Sequence, residues 1–207
     1  MSLRRLLFAK YYDRAMARYE RLLGPRKREL LADLSGTVVE LGPGTGVNLE
    51  LLPPGLRWIG IEPNLHMHPA LREKADRLGL EVDLRDLSGE KLPLEDGSVD
   101  AVLSTLVMCS VPDLPGILRE IHRVLRPGGR YVFWEHVLAP GPRSLRALQH
   151  ALTPLHRLWA DGCRCNRDVG AEVLSGPFQE VELEAFSIPR EAGPPWLRPH
   201  VAGAARK

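Results

Sequence analysis

Between residues 37 and 136, short apolar runs alternate with longer stretches whose apolar positions recur every three or four residues. The short runs at 38–41, 57–61, 81–84, 101–105 and 131–135 predict buried strands. The longer stretches predict helices over 68–78 and 113–125, a short one over 47–52, and another over 167–174. Pro53-Pro54 stops the short helix, Asp96-Gly97 makes a turn, and Arg126-Pro127-Gly128-Gly129 ends one helix and turns into a strand. Strands alternating with helices imply a parallel sheet covered on both faces. In front of this unit, Phe8, Tyr12, Ala15, Met16, Tyr19, Leu22 and Leu23 share one arc of a helix over 3–23, and Lys10, Arg14, Arg18 and Arg21 share the opposite arc. A second helix is expected over 25–34. The rhythm breaks over 139–166, a helical stretch punctuated by Pro140, Pro142 and Pro154. Residues 179–188 and 200–205 read as two strands joined by a proline-rich loop, an antiparallel pair at one edge.

The chain has 207 residues, enough for one domain with a full core. Hydrophobic residues make up 44%, which fits a globular chain, and the net charge of +2 is too near neutral to argue for a nucleic-acid surface. Abundant arginine and 18 prolines are compatible with a heat-stable protein. The three cysteines, Cys109, Cys163 and Cys165, do not make a disulfide framework, so a reducing cytoplasm is the expected setting. The opening ten residues carry too short an apolar run for a signal peptide, and no stretch approaches the ~20 apolar residues of a membrane span.

The candidate chemistry centres on Val38-Val39-Glu40-Leu41-Gly42-Pro43-Gly44-Thr45-Gly46. A buried strand ends in an acid and runs into a glycine loop that opens a helix, where backbone N–H groups are free and a ligand can approach closely. A carboxylate at Glu40 would repel a phosphate but suits a ligand with a cationic amine or a sulfonium, and S-adenosylmethionine (SAM) carries both. The rival reading is a dinucleotide site, which wants a third glycine at position 47, where this chain has Val47. Glu62 ends the second strand, where an acid can accept both hydroxyls of a ribose. His66 and His68 have no evident third ligand nearby, so no metal is expected.

On these residues the sequence resembles the class I SAM-dependent methyltransferases over nearly its whole length. The stretch 38–46 looks like their first motif, Glu62 like the ribose acid, and 92–100 and 118–129 like the segments around strands four and five. The resemblance implies a Rossmann-like sheet, mostly parallel with an antiparallel C-terminal hairpin and helices on both faces. It implies SAM as cofactor, with S-adenosylhomocysteine as product. The cofactor contacts it implies are Glu40, Gly42, Pro43, Gly44, Thr45, Gly46, Asn48, Glu62, Pro63, Thr105, Leu106 and Val107. Many relatives carry Asp where this chain has Ser88, so Gly89 and Glu90 are expected at the adenine instead.

A closer resemblance is to small methyltransferase-like proteins that methylate alkyl thiols. It rests on 105–111, Glu135-His136-Val137, Asp161-Gly162-Cys163 and Arg198-Pro199-His200. Those relatives carry an N-terminal membrane anchor, which is not expected here. The N-terminus also looks like that of small phospholipid and quinone methyltransferases. The expected function is methyl transfer to a small-molecule acceptor, a thiol, an amine or a lipid- or quinone-like molecule. The alternatives are SAM binding without catalysis and methylation of a membrane lipid. A nucleic-acid acceptor is disfavoured, because 104–107 lacks the Asn/Asp-Pro-Pro-aromatic stretch used on bases.

A thiol or amine acceptor must lose a proton, and His136, Asp161 and His156 are the candidates for taking or orienting it. One domain, 1–207, is expected, with 139–166 as a substrate-side insert carrying Trp159 and 1–34 as a helical lid carrying Tyr12 and Tyr19. Cys109 lies on the apolar lip after strand four. The basic arc of the first helix leaves a second reading open, peripheral docking on a membrane surface.

Overall fold

A computed structural model describes residues 3–85 and 91–207. The chain opens with α1 (Leu3–Leu31), one helix that runs through Pro25 where sequence pattern expects a break. A helix-interior proline removes one backbone hydrogen bond. The buried stripe Tyr19, Leu23, Lys27 and Leu31 continues past it at intervals of four, so burial on one face offsets that loss.

There follow β1 (Thr37–Leu41), β2 (Arg57–Ile61), α2 (His68–Leu78), β3 (Asp83–Arg85), β4 (Val99–Thr105), α3 (Leu114–Val124), β5 (Leu125–His136), α4 (Arg143–Trp159), α5 (Val169–Leu174), β6 (Glu180–Ser187) and β7 (Pro199–Arg206). The short helix expected over 47–52 is a single 3₁₀ turn, Leu49–Leu51. The third strand starts at Asp83, two residues later than the apolar run suggests. The turn at 126–129 is absorbed into β5 as a bulge. There the register jumps from Val99 opposite Leu125 to Ala101 opposite Arg130.

The seven strands form one sheet in the order β3-β2-β1-β4-β5-β7-β6. The first five are parallel, and β7 runs antiparallel between β5 and β6. The sheet has the Rossmann-like architecture expected of the sequence. Alternation along the strands divides the core. Val39, Leu41, Val102, Tyr131 and Phe133 pack with Ile117, Ile121, Val169 and Val173 of α3 and α5. Val38, Leu103 and Val132 face the end of α1 at Leu31, and Trp58 packs on Leu71 and Ala75 of α2. Strand order reverses between β1 and β4. The carboxyl ends of these strands therefore open a crevice between loops that leave in opposite directions, the usual place for a ligand in such sheets.

The stretch after β5 is fastened by one buried amide. Gln149 Oε1 accepts from the Ala139 N–H at 2.8 Å, and its Nε2 donates to the carbonyls of Val137 and Trp196, each at 3.0 Å. This ties α4 to the end of β5 and to the loop before β7.

Candidate active site

The loop after β1 carries three glycines at positive φ, and they answer to different neighbours. A Cβ on Gly42 would lie 2.5 Å from a methyl of Val107, and one on Gly46 would meet Leu49 and Leu71. Those two are small because protein atoms fill the space. At Gly44 (φ +57°) a Cβ would meet only the Tyr12 ring, at 3.7 Å. Gly44 is thus the glycine that leaves a cradle, and Pro43 closes the turn by accepting from the Gly46 N–H at 2.9 Å.

Glu62 is pinned beneath this loop. Its two carboxylate oxygens accept from the Gly44 N–H at 2.9 Å and the Asn64 N–H at 2.7 Å. Burial pushes its carboxyl up, and the two N–H groups hold it down. Pro63 follows, with its carbonyl 3.4 Å from Arg5 Nη1. His68 turns its Nε2 to the Glu62 carbonyl at 2.9 Å, so it serves the loop.

Glu40 does not present an open carboxylate. It is fully buried, Asn48 Nδ2 donates to Oε1 at 2.7 Å, and Trp58 Nε1 donates to Oε2 at 3.0 Å. The same Asn48 nitrogen reaches Thr105 Oγ1 at 2.9 Å, and Asn48 Oδ1 accepts from Lys27 Nζ at 3.1 Å. Each Glu40 oxygen thus takes one protein donor and keeps a second lone pair. The donors that reach it join β1, β2, β4 and α1. Lys27 and Trp58 belong to this network and carried no signal in the sequence beyond their types.

The first half of α1 lies over the loop. Tyr12 faces Gly44, the Thr45 hydroxyl donates to Asp13, and Arg5 pairs with Asp161 at 3.1 Å. Tyr19 behaves differently. Its hydroxyl accepts from Trp134 Nε1 at 2.7 Å and lies 2.9 Å from His200 Nε2. His200 Nδ1 faces the Arg198 carbonyl at 3.0 Å, so Nδ1 carries the proton and Nε2 accepts from Tyr19. Both roles of the Tyr19 hydroxyl are used inside the protein, and it joins α1, β5 and β7. Burial pushes His200 down to about 3, which keeps it neutral.

Leu106 leaves β4 at φ +57°, its N–H on the Trp134 carbonyl at 2.8 Å, and Val107 then turns back onto Gly42. Cys109, His136 and Cys163 come together just beyond. All three are buried, with His136 Nε2 3.2 Å from Cys163 Sγ. A hydrogen bond from Cys163 and the charge of His136 hold the Cys109 thiol well below its ordinary range, against the effect of burial. The same contact pushes Cys163 up. His136 Nδ1 has no partner. Glu135, which sequence reasoning passed over as a site residue, supports this loop from below by accepting from the Met108 N–H at 3.2 Å and the Ser104 hydroxyl at 2.8 Å. Burial and the Cys109 charge push its carboxyl up to about 8.

The other expected bases are placed otherwise. Asp161 accepts from Arg5 and from Asn64 Nδ2, so its charge is already paired. His156 Nε2 accepts from Trp196 Nε1 at 2.9 Å, which occupies its basic position. Trp159 is 67% exposed at the end of α4. Gly89 and Glu90 lie outside the described residues.

Residues 39–133 match the family model described as a methyltransferase domain. A SAM-dependent methyltransferase of solved structure from Thermotoga maritima superposes with a TM-score of 0.70 at 20% identity, covering 100% of both chains. With the glycine loop, the acid after β2 and this strand order, the class is that of the class I SAM-dependent methyltransferases. The chain is 34% identical to human thiol S-methyltransferase TMT1B over 200 residues, covering 90% of this chain and 80% of that protein. To human thiol S-methyltransferase TMT1A it is 36% identical over 202 residues, covering 91% and 81%. The chain belongs to the SAM-dependent methyltransferase family and is an enzyme of the small-molecule type that uses SAM.

Proposed function

We propose that the acceptor is a thiol, methylated at the carboxyl edge of β4 and β5. The observation that carries this reading is the buried Cys109–His136–Cys163 cluster, placed directly after the Thr105–Val107 segment. A thiol acceptor needs a soft, proton-accepting environment to become a thiolate, and this cluster offers one. The likeness to the two human thiol S-methyltransferases supports the same acceptor class.

The cofactor rests on the loop of Gly42 to Gly46. Gly44 gives it space, Glu62 keeps free lone pairs for ribose hydroxyls while holding the Gly44 N–H, and Thr105 to Val107 make the wall toward the acceptor. Asn48, held by Glu40 and Lys27, sets the position of Thr105. When bound, SAM supplies an activated methyl group. The protein's share is to align the acceptor with it, which is worth roughly 7–11 kcal/mol in well-oriented reactions. Tyr12, Asp13 and Arg5 make the first half of α1 a cover over the loop, and water exclusion beneath it favours transfer over side reactions.

The exposed apolar residues Leu3, Tyr11 and Trp159 support access for an apolar acceptor, including from a membrane surface. Among the described residues, no helix is long and apolar enough to cross a membrane. The free cysteines suit a reducing compartment such as the cytoplasm.

The test is an acceptor screen with labelled SAM, covering alkyl and aryl thiols, amines, phenols and phospholipid headgroups. Thiols should give the highest kcat/KM. Faster turnover of an amine or phenol would refute the thiol assignment.

A further inference from the structure

We propose that Cys109, His136 and Cys163 bind one thiophilic divalent metal ion, Zn²⁺ by its chemistry, which holds the acceptor thiol as a thiolate. The proposal rests on the thiol reading above and names how that thiol is activated.

The two sulfurs and a ring nitrogen of His136 lie within 4.8 Å of one another. Ligands around a tetrahedral zinc, with bonds of ~2.0–2.3 Å, stand about 3.3–3.8 Å apart, so the side chains need only small adjustments. Two thiolates and an imidazole suit zinc, and three protein ligands leave a fourth position open, the arrangement of catalytic rather than structural sites. The three residues come from the loop after β4, the end of β5 and the turn after α4. Local sequence does not force them together.

The frame around them is fixed by backbone. The Arg164 N–H donates to the Cys109 carbonyl at 3.0 Å, and Arg167 donates to the carbonyl of Met108 at 2.7 Å. Asp161 and Gly162 take positive φ immediately before Cys163, and such a turn aims the side chain that follows. Asp161 is a non-glycine residue there, held by Arg5 and Asn64. Here the ring of His136 meets sulfur at Nε2 and nothing at Nδ1. Cys165, two residues on, is turned away onto Thr153 Oγ1 at 3.3 Å and the Gln149 carbonyl.

The chemistry balances without an oxidant. On binding, the acceptor thiol releases its proton to solvent and its sulfur takes the fourth position. That sulfur forms the new carbon–sulfur bond with the methyl group as the methyl–sulfonium bond breaks. The electron pair of the broken bond stays on the sulfur of the departing S-adenosylhomocysteine. The neutral thioether product is a poor ligand and leaves, and the metal does not change oxidation state.

The test uses the whole purified chain, stripped with chelator and dialysed against Zn²⁺ alone, with metal content measured by mass spectrometry. One Zn²⁺ per chain is expected, falling to none in a Cys109→Ser/Cys163→Ser double variant and in His136→Gln, and unchanged in Cys165→Ser. Co²⁺ in place of Zn²⁺ should show a sulfur-to-cobalt charge-transfer band and the intense visible bands of a tetrahedral site. SAM binding by calorimetry, expected to survive in the double variant, reports that the variant is folded. A wild-type chain that takes up no Zn²⁺ would overturn the proposal, as would one that holds a Cys109–Cys163 disulfide in its place or loses no thiol turnover when stripped of metal. Zn²⁺ uptake with no thiol turnover on any acceptor would instead sink the thiol reading and the thiolate role with it, while the metal stoichiometry stands as a separate measurement.

Discussion

Replacing Glu40 by glutamine keeps its size and shape, and it should still be costly. Glu40 Oε1 and Oε2 each accept from a fixed N–H, on Asn48 and on Trp58. A glutamine offers one oxygen and one NH₂. If its oxygen faces Asn48, the NH₂ meets the indole N–H, which can only donate. If its oxygen faces Trp58, the NH₂ meets Asn48 Nδ2. Turning the Asn48 amide over would cure that contact, but its NH₂ would then face the Lys27 ammonium, which now donates to Asn48 Oδ1. Every arrangement leaves a donor against a donor in a fully buried place. One unmatched buried donor costs about 1–3 kcal/mol, and loss of the charge facing Lys27 adds to it. Glu40→Ala removes both acceptors, leaving the Asn48 and Trp58 donors unmatched, and should cost more, about 2–6 kcal/mol at 1–3 for each. Urea unfolding followed by fluorescence, with the midpoint shifted at constant slope, reads the difference. The donor clash can be isolated in a cycle, because Trp58→Phe should be less harmful in the Glu40→Gln background than in the parent. A Glu40→Gln protein within ~0.5 kcal/mol of the parent, the range of ordinary surface changes, would refute the reasoning.

Three further outcomes follow from the same contacts. Gly44→Val should abolish SAM binding in calorimetry while the folded state loses about 1–2 kcal/mol from backbone strain at positive φ, whereas Gly42→Ala should lose more stability because Val107 fills its space. Tyr12→Ala should raise the SAM off-rate in stopped flow, and an unchanged off-rate would remove Tyr12 from the cover. His200, held near 3 in the fold against an ordinary 6.5, binds its proton less readily folded than unfolded, so stability should fall as pH drops from about 6.5 toward 3, by up to ~1.4 kcal/mol per pH unit, and the fall should be smaller in His200→Gln.

The strands and most helices were legible because their apolar periodicity is unambiguous. β2 and α2 fall where the pattern puts them, since burial on both faces leaves Arg57–Ile61 no other reading. The break expected at Gly24-Pro25 was not there, because a stripe buried every fourth residue outweighs one missing hydrogen bond. In the site, the glycine loop and Glu62 could be read from spacing. The commitment of Glu40 to Asn48 and Trp58 could not, since its partners lie 8 and 18 residues away on other elements. In the sequence, Cys109 reads as part of an apolar lip, His136 as a candidate base and Cys163 only as part of the Asp161-Gly162-Cys163 stretch. Their meeting depends on how β4, β5 and α4 converge, which periodicity does not encode.

The contacts of α1 also decide what kind of cover it can be. Its first half touches the site through Arg5, Tyr12 and Asp13, all at least partly exposed. Its second half is core. Tyr19 completes the chain of hydrogen bonds from Trp134 to His200, Leu23 packs in the same cluster, and Leu31 is fully buried under the sheet. A rigid helix that swung from its far end would have to break that buried chain and expose Trp134. Opening a path over Gly44 therefore requires only the turns before Tyr19 to lift or fray, where the ties are the Arg5–Asp161 pair, the Asp13–Thr45 hydrogen bond and the ring of Tyr12. These ties are few and part-buried, so those turns can part from the loop by local opening while the buried second half of α1 and the sheet stay in place. Because Arg5 holds the residue two places before Cys163, lifting those turns also frees the segment that carries the cysteine. On the function proposed above, entry of the cofactor and arrangement of the Cys109–His136–Cys163 cluster would be joined through the Arg5–Asp161 contact.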